Sequence, residues 1–386
     1  MAKLRAVIEH WRDGLAQRRP DPGPDAVIAD GLRWLCRAQD WSATSDGGVA
    51  RHFSLLRGWG PSYPETTGYT VSTLLECAGE YPDLDLTSHA RRMLDWLLSV
   101  QFADGSFPGG TIGQHPTVPV TFNTGQILLG LCSGAQTFGD PYRDAMVRAA
   151  DWLVATQDAD GCWRRFPTPF AERGEKTYET HVAWALVEAE RLAPGRGYAE
   201  AAHRNARWAL THQTANGWLA NCCLDHPKKP LTHTLAYALR GWIEVHRVTE
   251  DAALFSAATA MADGLLRALP PSGRLAGRLD SEWRPAVAWS CLTGNVQIAC
   301  CWLLLYAKTA EPRWLDAARI ANRFVRTTVR VDGVSDDVRG AVKGSFPVAG
   351  GYCRWEYPAW ATKFAIDAHR MERRIAGEVD CQPASR

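Results

Sequence analysis

The chain lacks any apolar run long enough for a bilayer. Its longest, Ile298–Ala307, stops at ten residues, about half of what a membrane-spanning helix needs. The first twenty residues are charged throughout and hold no apolar core of the kind that opens a secretory leader. Neither sign of charge is in surplus: 43 Lys and Arg stand against 42 Asp and Glu, a net charge of +1. No basic face stands out, so neither nucleic acid nor an acidic membrane surface is an expected partner. Eleven cysteines are scattered through helical contexts without the paired spacing of a disulfide framework. A reducing cytoplasm is therefore the expected location. Long alternating strand patterns are also missing, which argues against any large sheet.

What is present is a repeat. With 386 residues, 46% of them hydrophobic, the chain can bury a large core. One domain of that length forms readily when each repeat adds its own share. Four segments align: Trp34-Leu-Cys-Arg-Ala-Gln39, Trp96-Leu-Leu-Ser-Val-Gln101, Trp152-Leu-Val-Ala-Thr-Gln157 and Trp208-Ala-Leu-Thr-His-Gln213. Their tryptophans step by 62, 56 and 56 residues. A turn follows each one, at Asp46-Gly47, Asp104-Gly105, Asp160-Gly161 and Asn216-Gly217. The turn recurs without the Trp and Gln at Ser272-Gly273 and Asp332-Gly333. In the third copy, Met146, Ala149, Ala150, Leu153 and Val154 share one face of a helix over 142–156. Asp160-Gly161 breaks it, a loop with Pro167 and Pro169 follows, and a more uniformly apolar helix covers 178–191. Each copy reads outer helix, turn, loop, inner helix, and Trp34, Trp96, Trp152 and Trp208 are expected at equivalent places on the outer helices, packed against the next hairpin. Six copies closing on one another predict an all-α fold, an (α/α)6 toroid of six helical hairpins. The expected division is a helical extension over 1–24, one toroid domain over 25–375 and a tail over 376–386.

Gln157-Asp-Ala-Asp-Gly-Cys-Trp163 resembles the QW motif of the terpenoid cyclase and protein prenyltransferase superfamily, and Gln101-Phe-Ala-Asp-Gly-Ser-Phe107 is a near match. The resemblance runs through the repeats, hence most of the chain, and implies the same toroid. It says less about the reaction, because six-hairpin glycosidases, polysaccharide lyases and sugar epimerases use similar rings. The Asp-x-Asp-Asp signature of protonation-driven cyclisation is absent: Asp83-Leu-Asp85 lies in a turn and Asp336-Asp337 in the final loop. The Asp, Cys and His zinc ligands of protein prenyltransferases do not stand at the matching inner-helix starts. The inner-helix strings also resemble those of uncharacterised bacterial toroid proteins encoded with cell-surface polysaccharide synthesis.

Inner helices of a toroid aim their N-termini at one mouth. Eighteen residues on from the first three turn glycines stand Glu65, Asn123 and Glu179; the later copies place His233 at 16, Asn295 at 22 and Glu356 at 23. Tyr63, Tyr69, Tyr178, His181, Tyr237, Arg240, Trp355 and Tyr357 accompany them. A single such residue is ordinarily a cap for the orphan N–H groups of a helix start. Capping does not explain the Tyr, His and Arg beside it. The six are expected to converge on one polar pocket rimmed by Trp59, Trp163, Trp218, Trp283 and Trp355.

Three chemistries fit. Glu65, Glu179 and Glu356 supply carboxylates for glycoside hydrolysis. His233, His181, Tyr178, Tyr63, Tyr69 and Tyr237 supply groups to move the C5 proton of a uronic acid, with Asn123 or Asn295 and Arg240 neutralising its carboxylate. His233, Tyr237 and Arg240 fall on one helical stripe, where the Tyr237 hydroxyl would fix the His233 tautomer and Arg240 would grip a carboxylate. Carbocation or prenyl chemistry is the third. No cofactor and no metal are expected, since adjacent Cys222 and Cys223 do not easily share one tetrahedral zinc. The expectation is a carbohydrate-active enzyme, of hydrolase or uronate epimerase or lyase type, acting on a glycan or lipid-linked saccharide in bacterial cell-surface polysaccharide metabolism. A terpenoid cyclase or prenyltransferase-like enzyme and a non-catalytic glycan-binding or scaffold toroid remain open.

Overall fold

The computed structural model describes residues 2–16, 19–169, 171–172 and 174–380. An N-terminal helix, α1 (Ala2–Ala16), precedes the ring. The outer helices are α2 (Pro24–Asp40), α4 (Leu86–Val100), α6 (Tyr142–Thr156), α8 (Tyr198–Leu210), α10 (Ala252–Ala268) and α12 (Pro312–Thr328). The inner helices are α3 (Pro64–Cys77), α5 (Thr121–Phe138), α7 (Thr180–Leu192), α9 (Thr232–Thr249), α11 (Leu292–Thr309) and α13 (Ala359–Asp380). α13 runs past the boundary expected at 375, and 381–386 lie outside the described residues. Strands are short: β1 (His52–Ser54) pairs antiparallel with β2 (Gly58–Trp59) and with β5 (Glu356–Pro358), and β3 (Ser290–Cys291) pairs with β4 (Ser345–Phe346). None of the described helices is long and apolar enough to cross a membrane.

Each inner helix packs on the next, α3 on α5, then α7, α9, α11 and α13, and α13 returns to α3. The contacts are close because glycines stand at the crossings. A Cβ on Gly130 of α5 would lie 1.9 Å from the Gly68 carbonyl oxygen of α3, and one on Gly241 of α9 would lie 2.2 Å from that of Thr180 in α7. Inner helices are buried nearly all round, whereas outer helices keep one polar face, as the sequence pattern requires.

The aligned glutamines explain the repeat. Gln101 Nε2 donates to the Gly105 carbonyl at 2.9 Å and to Ala145 of the following outer helix at 3.0 Å. Gln157 does the same to Gly161 and Ala201, at 3.0 and 2.9 Å. Gln213 repeats it with Gly217 and Ala257. An Arg one repeat later, Arg148 or Arg204, donates back to the Gln Oε1. The motif thus ties its own turn to the next outer helix.

Three expectations are corrected. The intimate pairs join an inner helix to the outer helix that follows it, and the last pair is α13 with α2, from opposite ends of the chain. The tryptophans pack on the turn of the preceding copy rather than on the next hairpin. Trp96 lies against Gly47 and Gly48, Trp152 Nε1 donates to Asp104, and Trp34 Nε1 donates to the Asp337 carbonyl. The sixth turn glycine is Gly340, not Gly333. Like Gly161 against Arg204, Gly340 (φ 79°) sits so close to Asp30 of the neighbouring outer helix that a Cβ would lie 2.2 Å from its backbone. Gly333 has only the Arg330 side chain near it.

Candidate active site

A cavity of about 490 Å³ opens where the inner helices begin. Of the expected residues it brings together Tyr63, Glu65, Asn123, Tyr178, His233, Tyr237 and Glu356. It adds residues the sequence reading did not select: Arg51, His52 and Arg57 from the β1–β2 hairpin and its approach, Phe122 from α5, Tyr352 and Cys353 from the last loop, and Trp360 from α13. The hairpin residues carry no periodic signal, so pattern reading had no means to find them.

Glu65 sits in the first turn of α3 and accepts a hydrogen bond from the Tyr63 hydroxyl. Asn123 Nδ2 reaches the same hydroxyl at 3.5 Å. Burial pushes the Glu65 carboxyl up to about 7, against the opposing pull of Tyr63 and Arg51. Across the ring, His233 Nδ1 lies 2.6 Å from Gln297 Oε1 on α11. An acceptor oxygen there puts the ring proton on Nδ1 and leaves Nε2 with its lone pair. The Tyr237 hydroxyl bonds the same Gln297 amide. Burial lowers the His233 imidazole to about 4, so it is neutral at physiological pH. Its ring packs 4.4 Å from Tyr237 and 5.6 Å from Tyr352, centroid to centroid. The stripe reading assigned the tautomer to Tyr237; Gln297 sets it. Gln297 ends the string Cys291-Leu-Thr-Gly-Asn-Val-Gln297 but lies two residues past Asn295, hence on a different face of the helix.

Glu356 is engaged. Its Oε2 accepts from Arg51 Nη1 at 3.0 Å, and its Oε1 lies 3.6 Å from His52 Nε2. The Arg51 guanidinium also stands over the Trp360 indole, 5.2 Å from the ring centroid. Trp360 Nε1 donates to the Tyr352 hydroxyl at 2.9 Å. Burial pushes the Cys353 thiol up to about 12, which leaves it a weak nucleophile.

The other expected residues lie elsewhere. Glu179 is 4% exposed and does not line the mouth. It belongs to a single 3-10 turn, Thr177–Glu179, that points Tyr178 at the cavity and puts Glu179 in the wall, where burial raises its carboxyl to about 8 despite Lys176 nearby. Asn295 Nδ2 donates to the Gly273 carbonyl at 2.7 Å and pins a turn. Tyr69, His181 and Arg240 line a second cavity of about 560 Å³ at the opposite end of the ring, where the inner helices finish. Arg240 is paired there with Glu244 at 2.7 Å. Tyr237, His181, Tyr69 and Phe364 form the layer between the two cavities, with His181 and Tyr237 rings 4.5 Å apart. Trp355 faces His10 of α1, and Tyr357 turns to Glu9. The other tryptophans named for the rim serve packing: Trp59 against Trp34 and Phe53, Trp218 against Trp283, and Trp163 bonded to the Leu153 carbonyl.

The capping alternative is not realised either. The residues that cap α3, α5 and α9 make no side-chain cap bond. Instead a Thr in the first turn of the inner helix accepts from the backbone after the turn glycine: Thr67 from Val49, Thr124 from Phe107 and Thr362 from Val342. Among the described residues, no group of three or more His, Cys, Asp or Glu is placed to hold a metal.

Residues 61–240 match the family model of the squalene-hopene cyclase C-terminal domain, so the resemblance read from the QW-like repeats holds. No curated protein matches the sequence. An unsaturated glucuronyl hydrolase specific for heparin superposes with a TM-score of 0.72 at 14% identity, over 92% of this chain and 99% of its own. The unsaturated glucuronyl hydrolase of a Bacillus species gives 0.71 at 16%, over 91% and 97%. A D-mannose isomerase gives 0.72 at 10%, over 91% and 97%. At such identities the likeness establishes the fold, an (α/α)6 toroid.

Proposed function

We propose that this chain is a carbohydrate-active enzyme that moves a proton on a sugar ring, with Glu65 as general acid and His233 as general base. One observation carries the reading. A carboxyl raised to about 7 and a neutral imidazole with its Nε2 uncommitted line the same cavity, which is how an acid and a base are kept apart at one pH. Two-carboxylate hydrolysis is less well supported, because Glu356 is held by Arg51 and His52, and Glu179 is outside the cavity. Aromatic walls and a volume of about 490 Å³ suit one or two sugar rings. Arg57 at the rim supplies a cation for a uronate carboxylate. In this scheme Nε2 takes a proton from the carbon beside a carboxyl or carbonyl group. Glu65 returns one, either to that carbon's opposite face or to a departing oxygen. Names among the solved structures of like fold, glucuronyl hydrolase, cellobiose 2-epimerase and mannose isomerase, point to the same substrate class. A place in cell-surface polysaccharide metabolism and in the cytoplasm belongs to the same proposal.

The test is incubation in deuterated water with uronate-containing oligosaccharides and reducing sugars. Solvent deuterium should enter one sugar C–H position, and His233→Ala and Glu65→Gln should each abolish this with the thermal midpoint retained. Release of sugar without C–H exchange would move the assignment to hydrolysis. A second reading has its own support in the family match and the six aromatic rings of Tyr63, Phe122, Tyr178, Tyr237, Tyr352 and Trp360. Turnover of a prenyl diphosphate, with inert saccharides, would establish it.

A further inference from the structure

α1 is docked the wrong way round for a surface helix. Its buried residues are Ala6, Glu9 and Asp13. Both carboxylates meet the buried Lys343 ammonium, Glu9 at 2.7 Å, and Asp13 also accepts from the Val348 amide at 2.6 Å. At about 100° per residue, Leu4, Val7, Ile8, Trp11 and Leu15 then share an arc opposite that docked face. They are 62, 50, 40, 76 and 54% exposed. Five large apolar side chains in one stripe on open solvent are costly unless something covers them.

The flanks say what covers them. Every acid on α1 faces inward, while Lys3, Arg5 and Arg12 border the apolar arc on its two sides. Arg12 touches Glu9 at 3.4 Å and Arg5 lies 3.9 Å from Asp337, yet both guanidinium side chains stay open to solvent. A second copy would bring these cations against their own kind. An anionic lipid surface would not. We propose that α1 is an interfacial helix that seats the protein on a negatively charged bilayer, its apolar stripe among the acyl chains and its basic residues at the headgroups. A net charge of +1 conceals this, because Glu9 and Asp13 cancel the basic residues in the count but are enclosed against Lys343. On this proposal an acidic membrane surface becomes a partner that composition alone does not suggest.

The seat adjoins the mouth. The loop that receives α1, from Lys343 to Tyr357, also contributes Tyr352, Cys353 and Glu356 to the cavity. His10 packs on Trp355 within it, ring centroids 6.0 Å apart. The corollary is that the saccharide substrate is held on a lipid carrier. That corollary rests on the proposed function; the membrane seat does not.

Flotation of the whole chain with phosphatidylcholine vesicles, with and without phosphatidylglycerol, tests the seat. The protein should float with the phosphatidylglycerol vesicles. Trp11→Gln with Leu15→Gln should lower partitioning at least about tenfold. Lys3→Gln with Arg5→Gln and Arg12→Gln should remove the preference for phosphatidylglycerol, each cation contributing about fivefold. These residues are outside the cavity, so turnover of any water-soluble saccharide should stay unchanged, and the exposed Trp11 and Leu15 changes should leave the thermal midpoint where it was. Failure to float with either vesicle, or flotation indifferent to the Trp11 and Leu15 changes, would overturn the proposal. So would a dimer in sedimentation equilibrium that Trp11→Gln dissociates, since the stripe would then belong to a second copy. Loss of saccharide turnover in all forms, with flotation intact, would strike the proposed function and leave the seat standing.

Discussion

Glu65 and His233 are ionisable groups displaced in opposite directions by the same cause, removal from water. The carboxyl rises to about 7 and the imidazole falls to about 4, so between those limits one is protonated and the other has its lone pair. Proton-transfer activity should therefore follow a bell, rising through about pH 4 and falling through about pH 7. Glu65 leaves a mark on stability as well. Its folded value lies above its unfolded one near 4.5, so its favourable contribution is complete below pH 4.5 and is lost as pH rises through 7, on the order of 3 kcal/mol in all. Glu65→Gln should erase that loss: in thermal melts at pH 5 and pH 9 the variant should gain on the wild type at the higher pH. Equal differences at both pH values would place the carboxyl in water. About a third of this cavity's lining is legible in the sequence. Tyr63, Glu65, Asn123, Tyr178, His233 and Glu356 stand at helix starts, and Tyr237 follows from the stripe that it shares with His233. What sequence could not tell was direction. Tyr178 and Glu179 are neighbours, and a 3-10 turn decides which of them sees the cavity.

At the level of elements, the repeat was read from Trp, Gln and turn Gly, and the first five glycines were assigned correctly. The sixth was misplaced because Asp332-Gly333 copies the local chemistry of the turn without its partner. A true turn glycine is defined by the outer helix it touches, which lies a whole repeat away. Gly340 has a positive φ and abuts the Asp30 backbone, whereas Gly333 also has a positive φ but meets only the flexible end of the Arg330 side chain. Alanine at 333 should cost about 1 kcal/mol, the conformational penalty alone. Alanine at 340 should cost several times more, because either α2 or the loop must move. Urea melts of the two variants decide it, and similar midpoints would return the register to Gly333. The misread also distorted the mouth count, which placed Glu356 too far from its turn.

For the whole molecule, the consequential feature is where the ring closes. In an open solenoid each repeat leans only on its neighbours, and losing a terminal one subtracts a single increment of stability. Here the last inner helix, α13, packs on the first outer helix, α2, and on the first inner helix, α3. The loop before it is fastened to α2 as well: Trp34 Nε1 donates to the Asp337 carbonyl at 2.8 Å, and Arg37 donates to the carbonyls of Asp336 and Arg339, both at 3.0 Å. Charges complete the seam, with Arg370 of α13 paired to Glu76 in the last turn of α3 and to Glu80 just past it, at 2.7 and 2.9 Å. Composition and period predicted a ring, but no sequence pattern shows contacts between residues some 300 positions apart. Cutting the chain before α13, at residue 358, removes the partner of α2, one neighbour of α3 and one of α11 together. The truncated protein should lose its sharp thermal transition and expose apolar surface to a hydrophobic dye, rather than melt a few degrees lower. Supplying residues 359–380 as a separate peptide should restore part of the cooperative melt, since the seat for α13 is formed by helices that remain. A truncated chain that still melts sharply, at a midpoint lowered only by one repeat's share, would show that the helices stand as an open array and that the seam between α2 and α13 carries no more than an ordinary repeat contact.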